Sequence, residues 1–207
     1  SPFLKFFTDK TVWFKVGQLR ELISFFKKEG VKQVVMAGQV NPKNLFEKGV
    51  LLDEEFQKIS EALQDRKADT IFTALADKLK EHDIELLDST FLLQEYLAPK
   101  GTLTRRGPTL KELSDVEFGR IIAKLMGGID VGQTVVVKDK AIVAIEALEG
   151  TDQTILRGGK IARQGAVVVK MSKPHQDLRF DIPVIGPRTI QMMIKAQAKC
   201  LAIEAGK

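Results

Sequence analysis

The stretch GQLRELISFFKKEG runs without a linker into VKQVVMAG, and this junction constrains the fold more than any other feature of the chain. Leu19, Leu22, Ile23, Phe25 and Phe26 recur at helical spacing and form one apolar stripe, with Gly30 as the natural stop. Val34, Val35 and Met36 then make an unbroken apolar run ending at Gly38. A helix, a glycine and a strand buried on both faces give the rhythm of an α/β layer with a parallel sheet. Residues 53–82 read as helical, with Ile71, Phe72, Leu75, Ala76 and Leu79 on one face, and IELLD at 84–88 reads as the next strand.

Pro99, Gly101, Gly107 and Pro108 then cluster around Arg105 and Arg106, a composition that marks a domain boundary. The expected division is a Rossmann-like N-terminal domain over 1–92 and a distinct mixed α/β domain over 93–207. In the second, Thr109 caps the helix TLKELSDVEFGRIIAKLMGG, and QTVVVKDKAIVAIEALEG reads as a hairpin turning at Lys138–Asp139–Lys140. A helix follows EGTDQT, AVVVKM is a strand, GPRTIQMMIKAQAK a last helix and CLAIEAG a last strand. The first ten residues make a poor opening strand, so the N-terminal domain is expected to lack its first strands in this sequence.

Composition narrows the chemistry. One cysteine, Cys200, permits neither an internal disulfide nor a thiolate zinc cage, and fits a reducing cytoplasm. His82 and His175 stand far apart in no metal-binding spacing, which excludes a histidine-rich dinuclear centre. No apolar run approaches the ~20 residues of a membrane span. The net charge of +5 suits an anionic ligand or an acidic membrane surface, and equally describes a solvated basic face. Nucleic acid is not an expected partner, because the lysines alternate with acids and a lone Trp13 and a lone Tyr96 offer little base stacking.

Three clusters carry candidate chemistry. In EALEGTDQT, Glu149 and Asp152 follow an apolar strand, and Thr151 or Asp152 opens a helix whose N–H groups suit an anion; a plain strand–turn–helix reads the same. In VVVKMSKPHQD, Lys170 and Lys173 end a strand as point charges for phosphate oxygens, or simply as exposed lysines. In DLRFDIPVIGP, Phe180 and Ile182 alternate with Arg179 and Asp181 as in a short strand, with Pro183 stiffening the backbone; a surface Arg–Asp pair is the plain alternative. Together the clusters set four acids and three bases at the ends of successive strands. Carboxylates that hold a metal or orient water, beside cations that neutralise phosphate oxygens, suit magnesium-assisted phosphoanhydride hydrolysis.

The segments IEALEGTD, VVVKMSKPHQDLRFDIPVIGP and AIEAGK closely resemble the LpxI-type UDP-2,3-diacylglucosamine pyrophosphatases, and VGQLRELISFFKKEGVKQVVMAGQV and YLAPKGTLT match the N-terminal half of that family. The resemblance covers nearly the whole chain. It implies cleavage of UDP-2,3-diacylglucosamine to UMP and 2,3-diacylglucosamine 1-phosphate (lipid X) in lipid A biosynthesis, with Mg2+ as cofactor. It further implies a Gram-negative bacterial, cytoplasmic enzyme, peripheral at the inner membrane face, that replaces a histidine-rich phosphoesterase. The family's fold pairs a Rossmann-like N-terminal domain with a distinct C-terminal α/β domain, and its essential aspartate lies in an FDxP motif, here Phe180–Asp181–Ile182–Pro183. Members begin with a strand and a glycine-rich IIAGxGxLP-like turn that this sequence does not show, which leaves Gly38 as one wall of the nucleotide pocket.

On this reading Asp181 and Asp177 are catalytic, and Asp181, Asp152 and Glu149 serve the metal. Thr151, Lys170, Lys173, Gln176, Arg179 and Gly38 bind the substrate and its phosphates. The apolar helices 189–194 and 117–126 are candidate walls for acyl chains, and a homodimer is one expected assembly. The alternative is a non-catalytic nucleotide-binding α/β module.

Overall fold

The computed structural model describes residues 5–38, 51–63, 65 and 67–207. The chain divides after Phe91 into two compact units.

In the first unit, α1 (Leu19–Lys28) buries Leu19 and Ile23, and Gly30 at φ +67° releases the chain into β1 (Gln33–Val34). Helix α2 (Glu54–Ala62) starts at Asp53, whose carboxylate accepts the Phe56 N–H at 2.9 Å. Helix α3 (Ala68–Lys80) buries Ile71, Phe72, Ala76 and Leu79. The continuous helix expected over 53–82 is therefore two helices. Leu63 and Lys67 are extended, and the Asp65 carboxylate accepts the Lys67 N–H at 2.9 Å, a local turn that competes with helix. Strand β2 (Glu85–Leu86) pairs in parallel with β1, Val34 against Leu86. Parallel pairing with adjoining helices is the α/β organisation expected of this half.

In the second unit, α4 (Leu110–Gly128) is opened by a reciprocal capping box between Thr109 and Glu112. Strands β3 (Thr134–Lys138) and β4 (Ala141–Ile145) form the expected hairpin. It turns on Asp139 and Lys140 at φ +52° and +59°, and the buried Asp115 carboxylate accepts both of their N–H groups at 3.1 and 2.7 Å. Then come α5 (Thr151–Ala162), β5 (Val167–Lys170), α6 (Pro187–Lys195) and β6 (Cys200–Ile203).

The sheet order is β4-β3-β5-β6, with β5 and β6 parallel and the other pairs antiparallel. Val135, Val137, Val167 and Val169 pack on Ala123 of α4, whereas Val136, Ala144 and Val168 pack on Ile155 of α5 and Met193 of α6. A sheet covered on both faces explains the VVV runs, in which every residue is core. Gly119 lets α4 approach closely, since a Cβ there would lie 2.7 Å from Val169. Among the described residues, no helix is long and apolar enough to cross a membrane.

Candidate active site

The register of the sheet assembles a polar row at one end. Thr134 opens β3 directly opposite Lys170, the last residue of β5. Glu146, one residue beyond β4, donates its N–H to the Thr134 carbonyl at 2.8 Å. The row is therefore Glu146, Thr134 and Lys170 across three strands. Side chains two apart share a face, so these three lie on the side of Val136, Ala144 and Val168, below α5 and α6.

The Lys170 ammonium is its centre. It donates to the Thr151 hydroxyl at 3.2 Å and to the Val184 carbonyl at 3.1 Å. Burial pushes its pKa below the ordinary lysine value, while the charges of Glu146, Asp181 and Asp152 pull it back up. The ammonium is buried at the carboxyl end of β5, and Glu146 just beyond β4, Asp181 of the 177–181 turn and Asp152 at the start of α5 act on its charge. Thr151 lies in the first turn of α5, where N–H groups have no partner within the helix and no side chain caps them.

Other expected site residues sit around this centre. Lys173 pairs with Asp130 at 2.7 Å and lies 3.6 Å from Asp181. The Lys173 N–H donates to Gln176 Oε1 at 2.9 Å, so Gln176 shapes the loop that presents the lysine. Asp152 accepts from Arg188 in the first turn of α6 at 2.6 Å. Asp177 and Arg179 form a bidentate pair, and the guanidinium holds the Asp177 carboxyl below the ordinary aspartate range.

Two expectations change. Residues 179–182 are not a strand: the chain turns, with the Phe180 and Asp181 N–H groups both donating to the Asp177 carbonyl. The alternation of Phe180 and Ile182 imitated a strand, but backbone bonds to Asp177 hold this segment in a turn. Glu149 is turned back toward its own helix, where it accepts from Arg157, the Ala147 N–H and the Thr154 hydroxyl. Arg157 lowers its pKa below the ordinary glutamate value.

Accordingly, Glu149, Asp152 and Asp181 do not converge, and among the described residues no three His, Cys, Asp or Glu side chains form a metal-holding group. Magnesium usually takes one or two carboxylates and completes its shell with phosphate oxygens and water. Asp152 and Asp181, both close enough to act on Lys170, are donors of that hard-oxygen kind. The donor set fits an ion shared with a phosphorylated ligand rather than a cage of protein groups.

Gly38 belongs to the first unit, just past β1, with φ +102° and open space where a Cβ would stand. Sequence reasoning missed Glu146 and Thr134. The hairpin carried the signal, because its register sets both residues at the sheet end where Lys170 emerges.

Comparison with known proteins adds two family-domain matches and a relative. Residues 1–96 match the LpxI N-terminal domain, and residues 99–207 match the LpxI C-terminal domain. The chain is 27% identical over 203 residues to the UDP-2,3-diacylglucosamine pyrophosphatase LpxI of Caulobacter vibrioides, an alignment spanning 93% of this chain and 72% of that protein.

Proposed function

The chain belongs to the LpxI family, and from that premise we propose that it hydrolyses the pyrophosphate bond of UDP-2,3-diacylglucosamine, releasing UMP and 2,3-diacylglucosamine 1-phosphate. The observation that carries this reading is the buried Lys170 ammonium, set at the carboxyl end of β5 among Glu146, Asp152 and Asp181.

A diphosphate bound at Lys170 meets a fixed ammonium, the first-turn N–H groups of α5, and Lys173 from the following loop. These positive groups neutralise charge that grows on the phosphate oxygens as the anhydride bond breaks. Asp181 lies on the same side as a carboxylate able to orient the attacking water or to hold magnesium together with the phosphates. Asp152, anchored by Arg188, is the second donor. Magnesium, when bound, supplies Lewis-acid polarisation of the phosphoryl oxygens. Asp177 fixes Arg179 through a bidentate pair and stands beside Asp181 as the second acid expected to act in the reaction.

The acyl chains need apolar surface. Leu148 is fully exposed between Glu146 and Glu149, and Val184, whose carbonyl holds Lys170, is exposed as well. Ile190 and Ile194 face solvent one turn apart on α6, and Ile121 and Leu125 do so on α4. These residues, on helices covering opposite faces of the sheet, support a lipid-linked substrate taken up at the cytoplasmic face of the inner membrane, and a homodimer would cover one of the two sets. The Rossmann-like reading of the first unit rests on the parallel β1–β2 pair, with Gly38 as backbone open to the nucleotide.

The test is hydrolysis of UDP-2,3-diacylglucosamine followed by phosphorus NMR, with and without EDTA, in the wild type and in Asp181→Ala. We expect UMP to appear, EDTA to abolish turnover, and the variant to bind substrate without cleaving it. Full activity in the variant removes Asp181 from the reaction, and absence of UMP from the wild type removes the function.

A further inference from the structure

The polar row contains one charged group that the proposed reaction does not yet use. Glu146 is 9% exposed. Its Oε1 accepts the Thr151 hydroxyl at 2.8 Å, while its Oε2 is buried with no hydrogen-bond partner among the described residues. Burying a carboxylate with half its acceptor capacity unused is costly. The nearby compensating charge is the Lys170 ammonium, which bonds the opposite side of the same Thr151 hydroxyl at 3.2 Å. Thr151 therefore donates to Glu146 and accepts from Lys170, and its hydroxyl has one orientation that serves both. The Glu146 backbone is equally constrained: a Cβ on Gly132 would come within 2.1 Å of the Glu146 carbonyl oxygen. Only glycine lets β3 and β4 close at this point and seat the glutamate.

We infer that Glu146 is a positioning residue for the diphosphate-binding Lys170, fixing the ammonium through the Thr151 hydroxyl and serving as its buried countercharge. Lys170's part in binding rests on the function proposed above; the Glu146–Thr151–Lys170 arrangement does not. The other groups facing the ammonium are Asp152 from α5, Asp181 from the 177–181 turn and the Val184 carbonyl. Glu146 also holds Lys170's own hydrogen-bond acceptor, the Thr151 hydroxyl.

The test uses the full chain carrying Glu146→Gln, Thr151→Val or both. Glutamine keeps an acceptor for the Thr151 hydroxyl but removes the countercharge, so Glu146→Gln lowers kcat/KM for UDP-2,3-diacylglucosamine about tenfold through a less firmly held ammonium. Thr151→Val does the same, and the double variant is no worse than about twofold beyond the weaker single, because both act on one element. A readout independent of turnover is the acetylation of Lys170 by acetic anhydride at fixed pH, measured by mass spectrometry against Lys195 as reference. Removing the countercharge increases the neutral, reactive fraction, so labelling rises by about threefold or more in Glu146→Gln. Wild-type Lys170 labelling in a folded variant overturns the inference, as does a wild-type kcat/KM. Should Glu146→Gln fail to fold, Thr151→Val decides the matter by the same two readouts. If the wild type does not cleave the substrate, the proposed function fails, and the labelling result alone still decides whether Glu146 holds Lys170.

Discussion

Arg188 Nε donates to Asp152 at 2.6 Å and thereby ties the first turn of α6 to the first turn of α5. The arginine is 79% exposed on its side chain while the aspartate is largely covered, so solvent screens the pair from the arginine side. Exposed ion pairs are worth ~0.2–1 kcal/mol. Arg188→Ala should therefore raise KM for the diphosphate substrate by about two- to fivefold and leave kcat nearly unchanged. Steady-state kinetics at low and high salt check this, with the difference shrinking as salt rises. A hundredfold loss of kcat would instead put Arg188 in contact with the reacting phosphate.

Lys170→Met keeps the length of the side chain and removes its charge. The amine that meets the diphosphate is lost, and Glu146 is left buried without its countercharge. The first effect should lower kcat/KM by about a hundredfold, and the second should cost about 3 kcal/mol of stability. Kinetics and urea denaturation measure the two separately. A variant with wild-type stability would show that Glu146 does not depend on Lys170.

Most of the second unit is readable from its residues because the determinants are local. The valine runs demand a sheet covered on both faces, Thr109 and Glu112 carry a capping box, and Asp139–Lys140 is a polar turn between two β-branched runs. What escaped was decided elsewhere. At the break between α2 and α3 the Asp65 carboxylate accepts the Lys67 N–H, a contact that a helical apolar pattern does not display. The EGTD motif drew attention to the correct loop and its Asp152 does act on Lys170, yet Glu149 folds back onto Arg157, and a further acid beside the ammonium is Glu146, three residues earlier. That exchange depends on Arg157 two turns into α5 and on strand register, neither of which a short motif displays.

Gly158 permits the contact between α5 and the sheet. A Cβ added there would lie 2.7 Å from Val136 Cγ1 and 2.8 Å from its Cβ. Alanine gains about 1 kcal/mol of helix propensity, but forcing a methyl into this core costs about 1–3 kcal/mol. Gly158→Ala should thus lower the urea midpoint, by about 1 kcal/mol net. An unchanged or higher midpoint would mean that α5 can move away from β3 at little cost.

Asp115, on α4, is buried and caps the hairpin turn from below, accepting from the Asp139 and Lys140 N–H groups. Both turn residues have positive φ, which non-glycine residues adopt at a cost. Asp115→Ala orphans two donors and should destabilise the chain by about 2 kcal/mol. Adding Lys140→Gly relieves backbone strain at the turn and should recover about 1 kcal/mol of that loss. Denaturation of the single and double variants is the measurement, and equal midpoints would mean that strain at Lys140 contributes nothing.

Glu112 provides a pH-dependent contribution with a definite sign. The Arg106 guanidinium, bonding both carboxylate oxygens at 2.8 and 3.0 Å, outweighs burial and, with Thr109, holds the carboxyl at about 2, against an ordinary value of 4.5. A folded-state pKa below the unfolded one stabilises the fold above the unfolded value, and that stabilisation disappears as pH falls toward the folded one. Glu112→Gln should accordingly be less stable than wild type at pH 7, by about 1 kcal/mol once solvent screening at the half-exposed Arg106 is counted. The gap should narrow as pH falls from about 4.5 toward 2 and stay constant above pH 6. Urea denaturation across this range tests the slope. A gap that widens on acidification would show that the Arg106–Glu112 pair does not control the titration, and that the start of α4 is held by the Thr109 cap alone.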